Sequence, residues 1–486
     1  MENLKQRKQN LLMFPVGTIG RDMVYCLVTN FLLSYIMFTK GLTAAQLAAV
    51  TAIMVIARVF DALNDPIMGN IIENTRSRWG KFKPWLVIGM ILTSVVVTMV
   101  FSTNLKGWDF IILFGVFYFT FSIAYTMHDI SYWGLIPALS SDAAARDQFT
   151  SKATLCAGIG GTLASILIPM FTTGSMTIGG SANKAYAVIA LVINILAPLF
   201  LCFTIFGVKE RREAPQAKGD GAGLKKIIRT IKENDQLRWI AIIFLIQQIG
   251  NGLVVGGLGS TYIYFTFGYD GGLYSIFTTV GMSATAFLMI FYPAISKKIK
   301  RKPLMTIMAV ISVIGYVLML VSRFVPAGVA FWVLVIGYML SNFGQYCYYL
   351  VMMISIINTV EYNEYKTGHR DEAIIASVRP FFTKMSSALI VVITSVSYMM
   401  FGVTDITNRI SDLESAAANG SITEAAKLTS IETVMSGVQS GQTMGLLICM
   451  TVLPCVLMLI SYFLYQKKYT LDEDEYERIC KELAAK

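Results

Sequence analysis

The feature that most constrains this chain is the recurrence of apolar runs long enough to cross a bilayer. About twelve can be marked off, near residues 11–38, 44–73, 84–103, 109–137, 153–172, 184–207, 239–266, 272–294, 303–322, 328–359, 373–402 and 441–465. Runs of about 20 residues match the length of a membrane helix, so the expected fold class is an all-α polytopic membrane protein of twelve transmembrane helices. Composition agrees. Of 486 residues, 55% are hydrophobic and 14% charged, whereas soluble domains sit near ~45–50% and ~25%.

The runs fall into two groups of six. Between them, residues 208–238 are charged and carry Pro215 and several glycines, with a short amphipathic stretch around Leu224 to Ile231. This gives an N-terminal half over 1–207, a central loop over 208–238, a C-terminal half over 239–465 and a polar tail over 466–486. Six plus six around a basic loop is the hydropathy layout of the major facilitator architecture. One connector departs from the pattern. Residues 405–442 are polar and rich in Ser, Ala, Thr and Gly, and ITEAAKLTSIETVMSGV predicts one or two short amphipathic helices. A solvated spacer is the expectation, with a capture domain as the alternative.

Charge sets the orientation. Of forty Lys and Arg, thirty lie in the N-terminus, the tail and the loops after spans two, four, six, eight and ten, against six on the opposite side. Both termini are therefore expected in the cytoplasm of a cell with this chain in its plasma membrane, and loop 405–442 outside. The formal charge of +10 is topological and implies no nucleic-acid partner. The run Lys297 to Lys302 has a second possible role, binding anionic lipid head groups. The N-terminus MENLKQRKQNLLMF is basic then apolar without a small-residue cleavage site, which predicts a retained first span. The seven cysteines lack metal-type spacing and read as inert thiols.

Ionisable residues inside apolar runs mark the candidate chemistry, because each costs at least ~2.5 kcal/mol in a membrane helix. Arg58, Asp61 and Asp65 fall within an arc of roughly 60° on the second span. They form either a site facing a polar interior or a buried structural ion-pair network. Arg21 and Asp22 interrupt the first span. Tyr125, Asp129 and Trp133 share one stripe of the fourth, with Thr126 and His128 beside them. Carboxylates accept hydrogen bonds from vicinal hydroxyls and an indole stacks on the apolar face of a pyranose, so this set suits a sugar. For Trp133 alone packing is an equal explanation, and His128 reads as a packing histidine. Lys384 sits in the eleventh span with Arg379 one turn earlier. A lysine there needs water or a carboxylate, with Asp129, Asp61 or Asp65 as possible partners. The loop EYNEYKTGHRDE, with Glu361 and Arg370, either closes a gate as TRSRWGKFKPW would or is simply solvated.

DALNDPIMG with TRSRWGKFKPW, YTMHDISYWGLIPAL, EYNEYKTGHR and the span-eleven lysine occur in one order. In combination they resemble the glycoside–pentoside–hexuronide cation symporters, the family of the melibiose permease, over nearly the whole chain. The resemblance implies a major facilitator fold and symport of a glycoside, oligosaccharide, pentoside or hexuronide with Na⁺, Li⁺ or H⁺. It implies that Asp61 and Asp65, with Asn64 and Thr126, bind the cation. It also implies that Asp22, Arg21, Tyr125, Asp129, Trp133, Tyr349 and Lys384 form or border the sugar site. Arg58, Arg78, Lys81, Glu361, Arg370 and Arg379 become its gating and charge network. Thr154 stands where the melibiose permease has an arginine, and Tyr349 where it has a tryptophan, which argues against melibiose itself.

The expected function is thus secondary active transport by alternating access, with no cofactor, no metal beyond the coupling cation, and a monomer as the working unit. The alternative is an exporter of the same fold, or a transporter of a non-sugar metabolite. A membrane-embedded enzyme is disfavoured because no nucleophile–base pair, phosphate loop or metal spacing is present.

Overall fold

The computed structural model describes residues 4–140, 143–209, 224–369 and 371–485. Among them every regular element is helical. The first span is α1 (Leu4–Cys26), a π-helical turn (Leu27–Phe31) and α2 (Leu32–Thr39), followed by α3 (Ala44–Asn74), α4 (Lys83–Ser102), α5 (Gly107–Leu139), α6 (Ala143–Thr172) and α7 (Ala182–Gly207). After α8 (Leu224–Glu233) come α9 (Asp235–Gly252), α10 (Gly257–Phe267), α11 (Gly271–Lys298), α12 (Arg301–Val321), α13 (Ala327–Thr367) and α14 (Glu372–Met400). The chain ends in α15 (Val403–Ala418), α16 (Glu424–Ser436), α17 (Ser440–Lys468) and α18 (Glu473–Ala484).

Eleven helical segments among the described residues are long and apolar enough to cross a membrane, and α11 adds a further helix of 28 residues. This is a multi-pass membrane protein. Large apolar side chains stand exposed along the spans, for example Ile88, Ile91, Leu191, Ile195 and Phe206, as a lipid-facing surface requires. Helix ends follow local chemistry. Thr43 and Gln46 form a capping box for α3, Pro84 lies in the first turn of α4, and Gly368 closes α13 in the left-handed region at φ 76°. The tenth span is longer than its apolar run predicts, because α13 carries the charged EYNEYK stretch on to Thr367.

The chain forms two compact units. Unit 1 contains residues 1–221, 268–275 and 398–438; unit 2 contains 222–267, 276–397 and 439–486. In unit 1, α1 packs on α6 and α7, α5 on α3 and α4, and α4 on α7. Small residues bring α1 close. A Cβ on Gly160 would lie 2.2 Å from Ile19 O, and one on Gly20 would lie 2.4 Å from Ala197 Cα, so a larger residue at either position would push α1 aside.

Within residues 405–442, expected as a solvated spacer, α15 and α16 instead pack into unit 1, which takes in residues 398–438. Glu414 of α15 and Lys427 of α16 pair at 3.3 Å with both side chains fully buried. Glu414 also accepts from Ala182 N at 2.6 Å and Tyr269 OH at 3.2 Å, while Lys427 donates to Gly180 O at 2.9 Å. Asn408 reaches Leu42 O at 3.0 Å, and Lys106 donates to Ser415 at 2.8 Å. Nearby, Lys40 is buried rather than solvated. Its ammonium donates to Thr103 O and lies 5.1 and 5.0 Å from the ring centres of Tyr35 and Phe110.

Unit 2 is built around α12 against α13 and α9 against α17, with α18 on α13. The acidic start of α18 meets the basic loop before α12: Lys300 pairs with Asp474 at 2.7 Å and Arg301 with Glu473 at 3.1 Å.

Candidate functional site

The charged residues within α1, α3 and α5 form two clusters in unit 1, in which Arg21 and Asp61 are buried and Asp22, Asp129, Arg58 and Asp65 half-buried. In the first, Arg21 is 5% exposed and holds two carboxylates at once, Asp22 at 2.7 Å and Asp129 at 3.0 Å. Its guanidinium also lies 5.1 Å from the centre of the Trp133 ring and 5.3 Å from that of Tyr132. A buried guanidinium between two acids and two aromatic faces is compensated on every side, which is the condition for keeping charge inside a span. Tyr125, on the same stripe of α5, stacks on Tyr25 at 5.3 Å. The π-helical turn Leu27–Phe31 follows directly after this group. Such turns locally re-aim the residues of a helix.

In the second cluster, Asp61 is buried, accepts a hydrogen bond from Ser122 and pairs with Arg58 at 3.5 Å. Asp65, one turn further along α3, accepts from Thr126 Oγ1 at 3.2 Å. Asn64 is buried between them in sequence, and its Nδ2 has no hydrogen-bond partner among the described residues. Two carboxylates, two hydroxyls and an amide form an oxygen-rich set of the kind that suits a hard cation. Among the described residues no group of three or more His, Cys, Asp and Glu could hold a metal ion.

Helix α5 joins the clusters. Ser122 and Thr126 face α3, while Tyr125, Asp129 and Trp133 meet α1. His128 is fully buried and neither ring nitrogen has a hydrogen-bond partner among the described residues. It stacks at 6.2 Å on Tyr132.

The structure refines the sequence reading in three places. Arg21, expected near the sugar residues, is the group that binds Asp22 to Asp129, so those carboxylates are already engaged with each other through it. In unit 1, Asp129 pairs with Arg21, Asp61 pairs with Arg58 and accepts from Ser122, and Asp65 accepts from Thr126. Ser122, Tyr25 and Tyr132 were not singled out by sequence. Ser122 sits one turn before Thr126, and Tyr25 one turn after Arg21, a helical spacing that would have pointed to both.

Arg78 and Lys81 are exposed in the α3–α4 loop, where they border a surface cavity of about 510 Å³ with Thr75, Arg76, Ser77 and Gly80. Lys81 rests 4.8 Å from the Phe82 ring centre. In unit 2, Tyr349 packs with Phe244 and Tyr346, Lys384 is half-buried, Arg379 is exposed, and Glu361 interacts with Tyr476 of α18. Arg370 lies outside the described residues, as do 210–223 of the central loop.

Helical units of this layout define the class of major facilitator transporters, and comparison with solved structures agrees. The chain resembles the xylose transporter XylE from E. coli in an inward-open conformation, with a TM-score of 0.59 at 14% identity, covering 97% of this chain and 99% of that one. It also resembles the nucleoside transporter NupG, with a TM-score of 0.57 at 16% identity over 96% of this chain and 100% of that one. The pattern of the MFS/sugar transport protein family matches residues 13–473, and the chain belongs to that family of transporters; it is not an enzyme.

Among curated relatives, the raffinose carrier protein of Pediococcus pentosaceus is 27% identical over 97% of this chain and 71% of its own length. The lactose permease of Leuconostoc lactis is 29% identical over 78% of this chain and 60% of its own length. The glucuronide carrier protein homolog of Escherichia coli is 26% identical over 77% and 80%. These relatives agree with the resemblance read from the motifs.

Proposed function

We propose that the protein carries a sugar across the plasma membrane together with a cation, Na⁺, Li⁺ or H⁺, by alternating access. The observation that carries this reading is the pair of clusters on α5. One combines carboxylates with aromatic faces, the chemistry of a sugar subsite, and the other presents the oxygen donors of a hard-cation site. Asp22, Asp129, Tyr125 and Trp133 are assigned to the sugar, with Arg21 fixing the carboxylates. Asp61, Asp65, Asn64 and Thr126 are assigned to the cation, and Ser122 joins them. Tyr349 and Lys384 remain assignments of the family resemblance. The names of the relatives, a raffinose carrier and lactose permeases, support a glycoside or oligosaccharide as substrate.

Coupling follows from electrostatics. A cation bound at Asp61 and Asp65 would add positive charge at this cluster and favour the closed state needed to move sugar, and linkage makes the effect reciprocal. Both termini face the cytoplasm, and the α15–α16 segment lies outside, on the charge distribution of the loops. The monomer is the working unit.

The test is uptake of labelled raffinose, lactose and smaller glycosides into proteoliposomes under Na⁺, Li⁺ and proton gradients. Accumulation of at least one sugar above equilibrium, driven by one of these gradients, is expected. Equilibration without any gradient dependence would remove the symport reading, and no uptake of any sugar would remove the sugar.

A further inference from the structure

We propose that the groove between the start of α12 and the end of α17 binds the head group of an anionic phospholipid. The cavity there, about 440 Å³, is lined by Lys302, Thr306, Tyr462, Phe463, Gln466 and Lys467 among its residues. Its floor is a fixed polar lattice. Gln466 donates to Lys302 O at 3.0 Å and to Thr306 Oγ1 at 3.3 Å, and the Thr306 and Tyr462 hydroxyls share a hydrogen bond at 3.0 Å. Two ammonium groups rim this floor, Lys302 in the first turn of α12 and Lys467 in the last turn of α17.

The outer faces of the same two helices continue as an apolar strip. Ile307, Val310 and Ile314 are exposed on α12, as are Phe463, Ile460 and Val456 on α17. Moving from helix end to helix interior, a ligand meets positive charge, then hydroxyl and amide groups, then hydrocarbon. That order matches phosphate, glycerol ester and acyl chain. Free phosphate would use only the first layer. The basic run Lys297 to Lys302 narrows accordingly, because the tail has taken Lys300 and Arg301 through Asp474 and Glu473. Lys302 stands 3.9 Å from Asp472, the outer limit of an ion pair, and half-exposed, so the tail neutralises it weakly.

The test uses purified full-length protein titrated with dioleoylphosphatidylglycerol in mixed micelles, reading bound lipid by native mass spectrometry and melting temperature in parallel. Lys302→Gln with Lys467→Gln should weaken lipid binding about tenfold and abolish the lipid-dependent rise in melting temperature. Lys302→Arg with Lys467→Arg should keep both. A control that removes the same charge elsewhere, Lys232→Gln with Lys481→Gln, should leave binding within about twofold. Should the double glutamine variant fail to fold, the exposed single change Lys467→Gln carries the same test with a smaller loss. Unchanged binding in the glutamine variants overturns the site, and so does an equal loss in the control. Full thermal protection by inorganic phosphate or by dioleoylphosphatidylcholine overturns the anionic lipid as its ligand.

Discussion

Arg21 on α1 donates to Asp129 on α5 at 3.0 Å across 108 residues of sequence, and the same guanidinium holds Asp22 at 2.7 Å. The arginine therefore sets the spacing between two carboxylates that lie on different helices. Its own position is fixed by the close approach of α1 to α6 and α7 at Gly160 and Gly20. A sugar entering here would compete with, or share, the hydrogen bonds that Arg21 now makes.

Arg21→Gln should consequently weaken sugar binding, because both carboxylates lose their common donor. Asp129→Asn and Trp133→Ala should each cost about 1–3 kcal/mol of affinity, through a lost charged acceptor and a lost stacking face. Binding isotherms on purified protein measure this, with melting temperature as the check on folding. Parental affinity in the Asp129 and Trp133 variants would return both residues to a packing role.

Asp61→Cys separates coupling from binding. On the proposed assignment the change removes a cation ligand, and it takes away the partner of Arg58 and Ser122 while leaving Arg21, Asp129 and Trp133 in place. Sugar should still bind and equilibrate downhill, whereas cation stimulation and uphill accumulation disappear. A purely structural ion pair behaves differently, since breaking it costs about 3–5 kcal/mol and would lower stability and both ligands' binding together. Sugar affinity measured across a cation titration distinguishes the two.

The buried pair Glu414–Lys427 should show strong non-additivity. Removing one member, as in Glu414→Gln or Lys427→Met, leaves a fully buried charge without its partner and should cost about 3–5 kcal/mol. The combined variant should recover part of that loss. Melting temperatures of the four proteins form the cycle, and simple addition of the two single losses would show that the groups do not act as a pair.

Lys40 gives stability a pH dependence of known sign. Burial first, and the neighbouring Lys106 second, push its ammonium down to about 7, well below the ordinary lysine range. Between that value and the unfolded value near ~10.4 the unfolded chain binds the extra proton, so stability rises with pH through this window. Below pH ~7 the penalty of a buried charge is fully present. Lys40→Met should raise the melting temperature at pH 6 relative to the parent and flatten its rise towards pH 9. An unchanged slope would place the pH dependence elsewhere.

Much of the site was legible in the sequence because membrane helices make polar residues conspicuous. Arg58, Asp61 and Asp65 stood out against their apolar neighbours, and helical periodicity put Tyr125, Asp129 and Trp133 on one stripe. What escaped was pairing across long sequence distances. Nothing local says that Arg21 will choose Asp129, or that Ser122 will reach Asp61, since serine is unremarkable in a membrane helix. Polar connectors were harder still. Lys40 and Lys427 count as loop lysines by position, and only tertiary packing reveals that both are buried. In the tail, the run of acids at 472–475 became informative once the basic loop before α12 was seen opposite it.

Unit 1 is not one stretch of chain. The helices α15 and α16 that complete it are threaded between α14, which belongs to unit 2 up to Ser397, and α17, which belongs to unit 2 throughout. If the chain were cut within 210–223 and expressed as two polypeptides, the second fragment would carry an arm whose buried Glu414 and Lys427 need Ala182 N and Gly180 O from the first. The fragments would therefore recognise each other as domain-swapped partners do, through a donated element that neither can satisfy alone.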